Sequence, residues 1–381
     1  MRVTRRHLLQ QIGATAAVAG SVPSLLDAAA AGRIEGFGGA SRNGPVRLNR
    51  NESAYGPSPR AVGAIQENAA DLANRFPDVE SADLRDRLAA MHRVLPEQIV
   101  IGCGSSDILR RAAAALAAPG KKVITAIPTF DLMGRCAGRC GAEVIAVPLT
   151  HSHAHDLDGM LASADAATTL VYICNPNNPT GTLTGRRELE SFIRQLPPTA
   201  TVLIDEAYHH YVGGSADYAS FLDRPIEATR LIVTRTFSHI HGLAGLRIGY
   251  AVASGQTAAM LGAGGLPEDV GTIAVAAALA AIQDSDHVAL SARRNADARQ
   301  EFFNQANARM VRAIDSQTNF VMLNTDRPAG HIVEHFRTHD VLVAGPIPSY
   351  DNYIRVSLGS PDAMNEFWRV WDLLPGGGHR M

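Results

Sequence analysis

Lysine is almost missing from this chain. Of its 35 basic residues only Lys121 and Lys122 are lysines. Any chemistry that needs a primary amine has one adjacent pair of positions to draw on. Cysteine is scarce too: Cys103, Cys136, Cys140 and Cys174 are too few and too scattered for a disulfide scaffold. Cys136 and Cys140 share a face if helical, as two small buried residues or as half of a metal clip. Neither sign of charge is in excess: 35 basic against 37 acidic residues leave a formal charge of −2. That removes the basic footprint of a nucleic-acid binder and the acidic excess of a solvated tail. With 46% apolar and 19% charged residues the composition is globular rather than disordered. A length of 381 residues exceeds one comfortable core, so two lobes are expected.

Before Asp27 the chain has no acidic residue at all. Thr4-Arg5-Arg6-His7-Leu8-Leu9 leads into the apolar, small-residue stretch Ile12 to Leu26, then Asp27-Ala28-Ala29-Ala30-Ala31-Gly32. A positive start, a short apolar run and a small-residue cleavage site describe a signal peptide, and the paired arginines resemble a twin-arginine leader. The run is too short and too rich in Ala and Gly to span a membrane. The alternative is an amphipathic N-terminal helix. A leader over residues 1–31 implies handling by the twin-arginine machinery, a periplasmic or secreted protein, no membrane attachment after cleavage, and a mature charge of −4.

Beyond residue 98 short apolar runs alternate with helical stretches. Strands are expected at Gln98–Ile101, Lys122–Ala126, Ala142–Pro148, Thr169–Cys174, Thr201–Asp205, Leu231–Thr234 and Arg247–Val252, with helices at Asp107–Ala118 and Asp131–Gly141. Short Val/Ile-rich strands separated by helices indicate an α/β fold: a mostly parallel seven-stranded sheet flanked by helices. A long helix over Asp286–Met310 and strands at Phe320–Leu323, Val341–Val343 and Tyr353–Leu358 then predict a smaller α+β lobe. The tail Pro375-Gly376-Gly377-Gly378 reads as frayed.

Five loops fall where such a sheet presents ligands, at the carboxyl ends of its strands. Gly102-Cys103-Gly104-Ser105-Ser106-Asp107 joins a strand to a helix start that attracts phosphate, or is an ordinary capped turn. Asn175-Pro176-Asn177-Asn178-Pro179-Thr180-Gly181 follows a strand directly; its residues are turn formers, but the whole string is more specific than a turn requires. Asp205-Glu206-Ala207-Tyr208 puts a carboxylate and a phenol at one strand end, for a ring nitrogen and a ring hydroxyl, or for a cap and a packing aromatic. Thr236-Phe237-Ser238-His239, with Arg247 further on, offers hydroxyls and a cation to a phosphate, or is a Gly-rich surface loop. Arg355, in the apolar strand Tyr353-Ile354-Arg355-Val356-Ser357, is expensive unless paired, by a ligand carboxylate or by an internal acid. His151, His153 and His155 alternate on what reads as a surface connection, with a metal site the other possibility. No metal is expected.

In this order and spacing the five strings resemble the class I/II aminotransferases of fold type I, most closely their histidinol-phosphate branch. The resemblance runs from Asn51-Glu52-Ser53-Ala54-Tyr55-Gly56-Pro57-Ser58, through Asn74-Arg75-Phe76-Pro77-Asp78 and Pro128-Thr129-Phe130, to Arg355. It implies an N-terminal arm and part of a small domain over 32–70, a large cofactor-binding domain over 71–285 and a C-terminal small domain over 286–381. It also implies pyridoxal phosphate as cofactor, and an amino donor and a 2-oxo acid as substrates. Gly104, Ser105 and Ser106 would then hold the cofactor phosphate together with Thr236, Ser238 and Arg247. Phe130 would stack on the ring, Asn178 and Tyr208 would bind its hydroxyl, and Asp205 would keep its nitrogen protonated. Arg355 would clamp the substrate carboxylate. Tyr55 would reach the phosphate of a partner subunit, which implies a homodimer.

The family's covalent lysine follows the serine at the position of Ser238; here that residue is His239. Lys121 and Lys122 begin the strand leading to Phe130, roughly 25 Å of chain from the cofactor end at ~3.3 Å per residue. The cofactor, as pyridoxal or pyridoxamine phosphate, is therefore expected to be held noncovalently, with His239 and Tyr208 as the catalytic pair. An unperturbed imidazole, with pKa near ~6.5, can take over part of the lysine's proton transfer. In the wider superfamily, sugar dehydratases that use pyridoxamine phosphate carry histidine at this position. Two alternatives stay open on that basis: a lysine-free dehydratase or half-transaminase, and a non-catalytic cofactor-binding homologue.

Overall fold

A computed structural model describes residues 44–223, 230–265 and 269–375. The expected leader and the Gly-rich tail from Gly376 onward lie outside the described residues. The strands are β1 (Val46–Leu48), β2 (Ile99–Gly102), β3 (Lys122–Ile127), β4 (Glu143–Pro148), β5 (Thr168–Cys174), β6 (Thr201–Asp205), β7 (Leu231–Thr236), β8 (Gly249–Ala253), β9 (Phe320–Asn324), β10 (Val341–Val343) and β11 (Tyr353–Ser357). The helices are α1 (Pro59–Leu72), α2 (Asp78–His92), α3 (Ser105–Leu116), α4 (Leu132–Arg139), α5 (Leu157–Ala162), α6 (Arg186–Gln195), α7 (Gly255–Gly262), α8 (Thr272–Ile282), α9 (Ser285–Ala308), α10 (Ala329–Thr338) and α11 (Pro361–Asp372).

Strands β2 to β8 form one seven-stranded sheet in the order β2-β8-β7-β6-β5-β3-β4, in which only β8 runs against the rest. The expected mostly parallel sheet is therefore present. Successive residues of a strand alternate between two cores, so both faces are buried and the strands read as continuous apolar runs. Ile124, Val171, Ile173, Val202 and Ile204 pack under α1, α2, α6 and α8. Val123, Leu170, Tyr172, Leu203 and Ile232 pack under α3, α4 and α7.

A third core gathers the aromatics: Phe302, Phe336, Phe367, Trp368 and Trp371 surround β9, β10 and β11. Phe336 and Phe367 stack with centroids 4.8 Å apart. β9 pairs antiparallel with β11, and β1, from the start of the described chain, pairs in parallel with β10. The chain thus returns its first described strand to its C-terminal layer and lays residues 49–57 across the end of the large sheet.

Three expectations need correcting. The strand expected from Arg247 starts at Gly249, because Arg247 follows a 3-10 turn and has a left-handed backbone at φ 57°, which an extended strand does not accommodate. The surface connection expected over His151, His153 and His155 holds only for the exposed His151: His153 has φ 63° in a turn that breaks the alternation, and His155 is buried against the Thr184 hydroxyl at 2.9 Å. Helices α1 and α2 were not anticipated. Ser58, whose hydroxyl accepts from the Ala61 N–H at 3.1 Å, and Pro59 in the first turn were the available start signal for α1.

At the end of β6 the sheet encloses an ion pair. Glu206 accepts from Arg235 of β7 at 3.0 Å, from the Ser220 hydroxyl at 2.6 Å and from the Phe221 N–H at 2.9 Å. Removing one partner leaves the other charge buried and alone. Glu206→Ala is expected to lower unfolding free energy by about 3–5 kcal/mol. Denaturant melts of the two proteins check this, and an unchanged midpoint would refute it.

Candidate active site

The carboxyl ends of β3, β5, β6 and β7 open onto one cavity of about 930 Å³. Of the expected site residues, Ser105, Ser106, Phe130, Asn178, Asp205, Tyr208, Thr236, Ser238, His239, Arg247 and Arg355 line it. Gly104 lies directly behind, at φ 79°. A Cβ there would collide with the Arg247 guanidinium, and one on Gly249 would meet the Ser105 nitrogen, so two glycines let the turn close against the arginine. Tyr55 does not line this cavity; its ring packs beneath Arg294, at 5.3 Å.

One end is built for an anion. The first turn of α3 exposes Ser105 and Ser106, where free N–H groups and the helix dipole favour negative charge. Opposite it, Arg247 donates to the Ser238 hydroxyl at 3.2 Å and to the Ala244 carbonyl at 2.9 Å, and Thr236 donates to Ser238 at 2.9 Å. Arg247 has no carboxylate partner among the described residues. A left-handed backbone at Arg247 replaces the start of the expected strand, and its side chain packs against the turn before α3.

At the floor lies Asp205. Its carboxylate accepts from Tyr172 at 3.0 Å, Thr234 at 3.1 Å and the Ala207 N–H at 3.2 Å. Burial nevertheless pushes its pKa up to about 6, because these neutral donors only partly offset desolvation. No cation pairs with it among the described residues.

Asn175 and Asn177 tie the asparagine string into shape, through Thr184 at 3.0 Å and through Pro128 and Thr180 at 3.2 and 2.9 Å. Asn178 is left to face the cavity. It donates to the Tyr208 hydroxyl at 3.3 Å and accepts from Arg355 at 2.6 Å. Arg355 also donates to the Asn49 carbonyl at 2.9 Å and lies over the Phe320 ring at 5.4 Å. Among the described residues no carboxylate pairs with it, and its buried Nε has no partner. The internal acid allowed by the sequence is absent among the described residues, leaving an anionic ligand as the complement.

His239 stacks on Tyr208 with centroids 4.4 Å apart and planes 20° apart, and Tyr208 meets Phe320 edge-on at 5.0 Å. Burial, reinforced by the charges of Arg355 and Arg247, lowers the His239 pKa to about 4, so the ring is neutral at pH 7. Burial pushes the Tyr208 pKa upward, so the phenol keeps its proton. The lysines are remote: Lys122 begins β3 and pairs with Asp165 at 2.5 Å. Sequence reasoning missed Asn49, Tyr172, Asn319 and Phe320 as neighbours of the site. Tyr172 carried a signal, a hydroxyl in an otherwise apolar buried strand, which needs a partner.

A family model described as aminotransferase class I and II matches residues 43–370. The chain belongs to that family. Among sequence relatives of this aminotransferase, the histidinol-phosphate aminotransferase of Moorella thermoacetica is 36% identical over 85% of this chain and 84% of its own. Histidinol-phosphate aminotransferase 2 of Pseudomonas aeruginosa is also 36% identical, over 84% and 87%. Among solved structures, a chain from Erwinia carotovora atroseptica aligns with a TM-score of 0.81 at 32% identity, covering 86% of this chain and 94% of its own. The histidinol-phosphate aminotransferase of Sinorhizobium meliloti, solved in complex with pyridoxal-5'-phosphate, aligns with a TM-score of 0.79 at 28% identity over 85% and 88%. The fold is that of the type I aminotransferases, and the expected cofactor is pyridoxal phosphate.

The aminotransferase carries an unusual number of buried neutral imidazoles. Burial, the leading cause in each, holds His92, His155, His239 and His241 to pKa values of about 4, and His209 to about 3. The Arg235 charge adds to the effect at His92, His209 and His241. Unfolding returns each to about 6.5, so their contribution to stability is present above that pH and is lost as pH falls toward 4. Asp205 acts the other way, losing its contribution as pH rises toward 6, but it is one group against these five and against His153 and His210, which burial also lowers. Stability of the cofactor-free protein is expected to fall from pH 6.5 to 4.5, each imidazole steepening the slope by up to about 1.4 kcal/mol per pH unit. Urea melts across this range, compared with His241→Leu, check it; equal slopes for the two proteins would refute the assignment.

Proposed function

We propose that this protein transfers an amino group between an amino acid or amino-alcohol phosphate of the histidinol-phosphate type and a 2-oxo acid, with noncovalently held pyridoxal phosphate and with His239 where relatives have the covalent lysine. The observation that carries the reading is the convergence on one cavity of an anion cradle, an unpaired buried carboxylate and an unpaired buried arginine. The cradle of Gly104, Ser105, Ser106, Thr236, Ser238 and Arg247 suits a phosphate. Asp205, lacking a cation, suits a protonated ring nitrogen. Phe130 would cover a ring, and Asn178 with Tyr208 would bind its hydroxyl. The cofactor supplies an aldehyde that takes up the amino group and a ring that stores an electron pair.

The remaining work falls to the chain. Arg355 orients the carboxylate or phosphate of the donor. His239 Nε2 would take the proton from the donor's α-carbon and hold it for return during amino transfer. An imidazole with pKa of about 4 is a weak base at neutral pH, so this step is slower than with a lysine. The neutral Tyr208 phenol donates a hydrogen bond and excludes water beside the stacked imidazole.

Two further readings belong to the proposal. Tyr55 serves the cavity of a second copy, which its position outside its own cavity supports. The 31-residue leader exports the folded enzyme through the twin-arginine route, supported by Arg5 and Arg6 before the apolar run.

Purified protein titrated with pyridoxal phosphate and then with a panel of amino donors tests the function by absorbance. Saturable binding followed by conversion to the pyridoxamine form is expected. Binding without conversion by any donor would refute transamination. His239→Lys is expected to accelerate conversion by ~10²–10⁴, the range of a positioned acid–base group. Arg247→Ala is expected to weaken cofactor binding by roughly 10–100-fold, the loss of one charged hydrogen bond.

A further inference from the structure

Residue 51 touches both members of the stacked pair. Its backbone carbonyl lies 2.8 Å from His239 Nδ1, and its side-chain amide donates to the Tyr208 hydroxyl at 3.0 Å. A carbonyl oxygen only accepts, so Nδ1 carries the imidazole's proton and Nε2 is the bare nitrogen. Tyr208, accepting from both Asn51 and Asn178, keeps its own O–H free to donate.

Asn51 is itself held from three sides. The Asn319 amide donates to the same carbonyl at 2.9 Å. Ser357 accepts from the Asn51 N–H at 2.8 Å and donates to its side-chain oxygen at 3.1 Å. The residue is 2% exposed and left-handed, at φ 55°, a conformation that asparagine tolerates and most residues do not. Ser357 lies two residues beyond Arg355 on β11, so one strand anchors both the anion clamp and this hub.

We propose that Asn51 is a positioning residue that sets the polarity of the catalytic pair: its carbonyl locks His239 as the Nδ1–H tautomer, leaving Nε2 as the acceptor, and its amide makes Tyr208 a donor. The inference rests on the proposed role of His239 as the proton-transfer group. A lysine has no tautomers, so the lock has this use only with histidine at position 239.

The test uses the intact protein labelled with ¹⁵N-histidine and ¹³C-tyrosine, without cofactor. The imidazole signal absent in His239→Gln identifies residue 239. It is expected to show protonated Nδ1 and unprotonated Nε2 throughout pH 6 to 8. An Nε2–H tautomer, or an average of the two, would overturn the proposal. Asn51→Gly keeps the carbonyl and permits the positive φ. It is expected to leave the tautomer unchanged and to shift the Tyr208 ring-carbon signal, assigned with Tyr208→Phe; an unmoved signal would overturn the amide's role. Asn319→Ala frees the carbonyl and is expected to mix the tautomers, slowing conversion of the loaded enzyme by about 10²-fold at an unchanged half-saturating donor concentration. A single tautomer at wild-type rate would overturn the lock. The two readings fail separately. A locked tautomer in an enzyme that converts no donor defeats the proposed function alone. Rapid conversion with a mixed tautomer defeats the positioning role alone.

Discussion

A carboxylate enclosed at the end of a parallel strand, with no cation beside it, is the constraint around which this protein is arranged. Asp205 is held by three neutral donors, and they do not restore its ordinary acidity. The next residue, Glu206, solves the same problem conventionally, with Arg235 and Ser220. Adjacent residues of one strand end thus carry opposite solutions. Glu206 is satisfied within the fold and stabilises it. Asp205 is incomplete until something positive arrives. The sheet supports this arrangement because its alternation sends neighbouring residues to opposite sides, so the two carboxylates do not compete for one arginine.

Arg355 and Arg247 are incomplete with the opposite sign. Each donates only to neutral oxygens, from Asn178 and the Asn49 carbonyl, or from Ser238 and the Ala244 carbonyl. These contacts fix direction without neutralising charge. One cavity therefore holds a buried anion and two cations together with a stacked Tyr208–His239 pair, charges that match a ligand with a cationic ring and two anionic ends. The same charges act on the histidine: both arginines lower its pKa, so the features that hold the ligand also make the imidazole a poorer base.

Much of this was legible in the sequence because parallel sheets leave a plain record. Strands buried on both faces read as apolar runs, and the polar residues just past Cys174, Asp205 and Thr236 stand out against them. Backbone detail was less legible. Nothing in the order Leu246-Arg247-Ile248-Gly249 announces that Arg247 turns left-handed with its guanidinium packed on the Gly104 turn. His153 and His155 misled for a related reason: a period of two suggested an extended segment, but a turn breaks it and the Thr184 hydroxyl draws one ring inward. Asn319 and Phe320 were invisible as site residues because they come from β9 and its approach, brought in only by pairing with the strand that carries Arg355.

The histidine at 239 gains its meaning from the surroundings rather than from its type. Here Nδ1 is engaged by a carbonyl that is itself held by Asn319, and the ring lies flat on Tyr208. The hydrogen bonds are local, but their anchors are distant in sequence, at residues 51, 319 and 357. Ordering one imidazole through three separate segments brings together the arm, the approach to β9 and β11. The proposed proton-transfer role of His239 rests on that concentration of order around one ring.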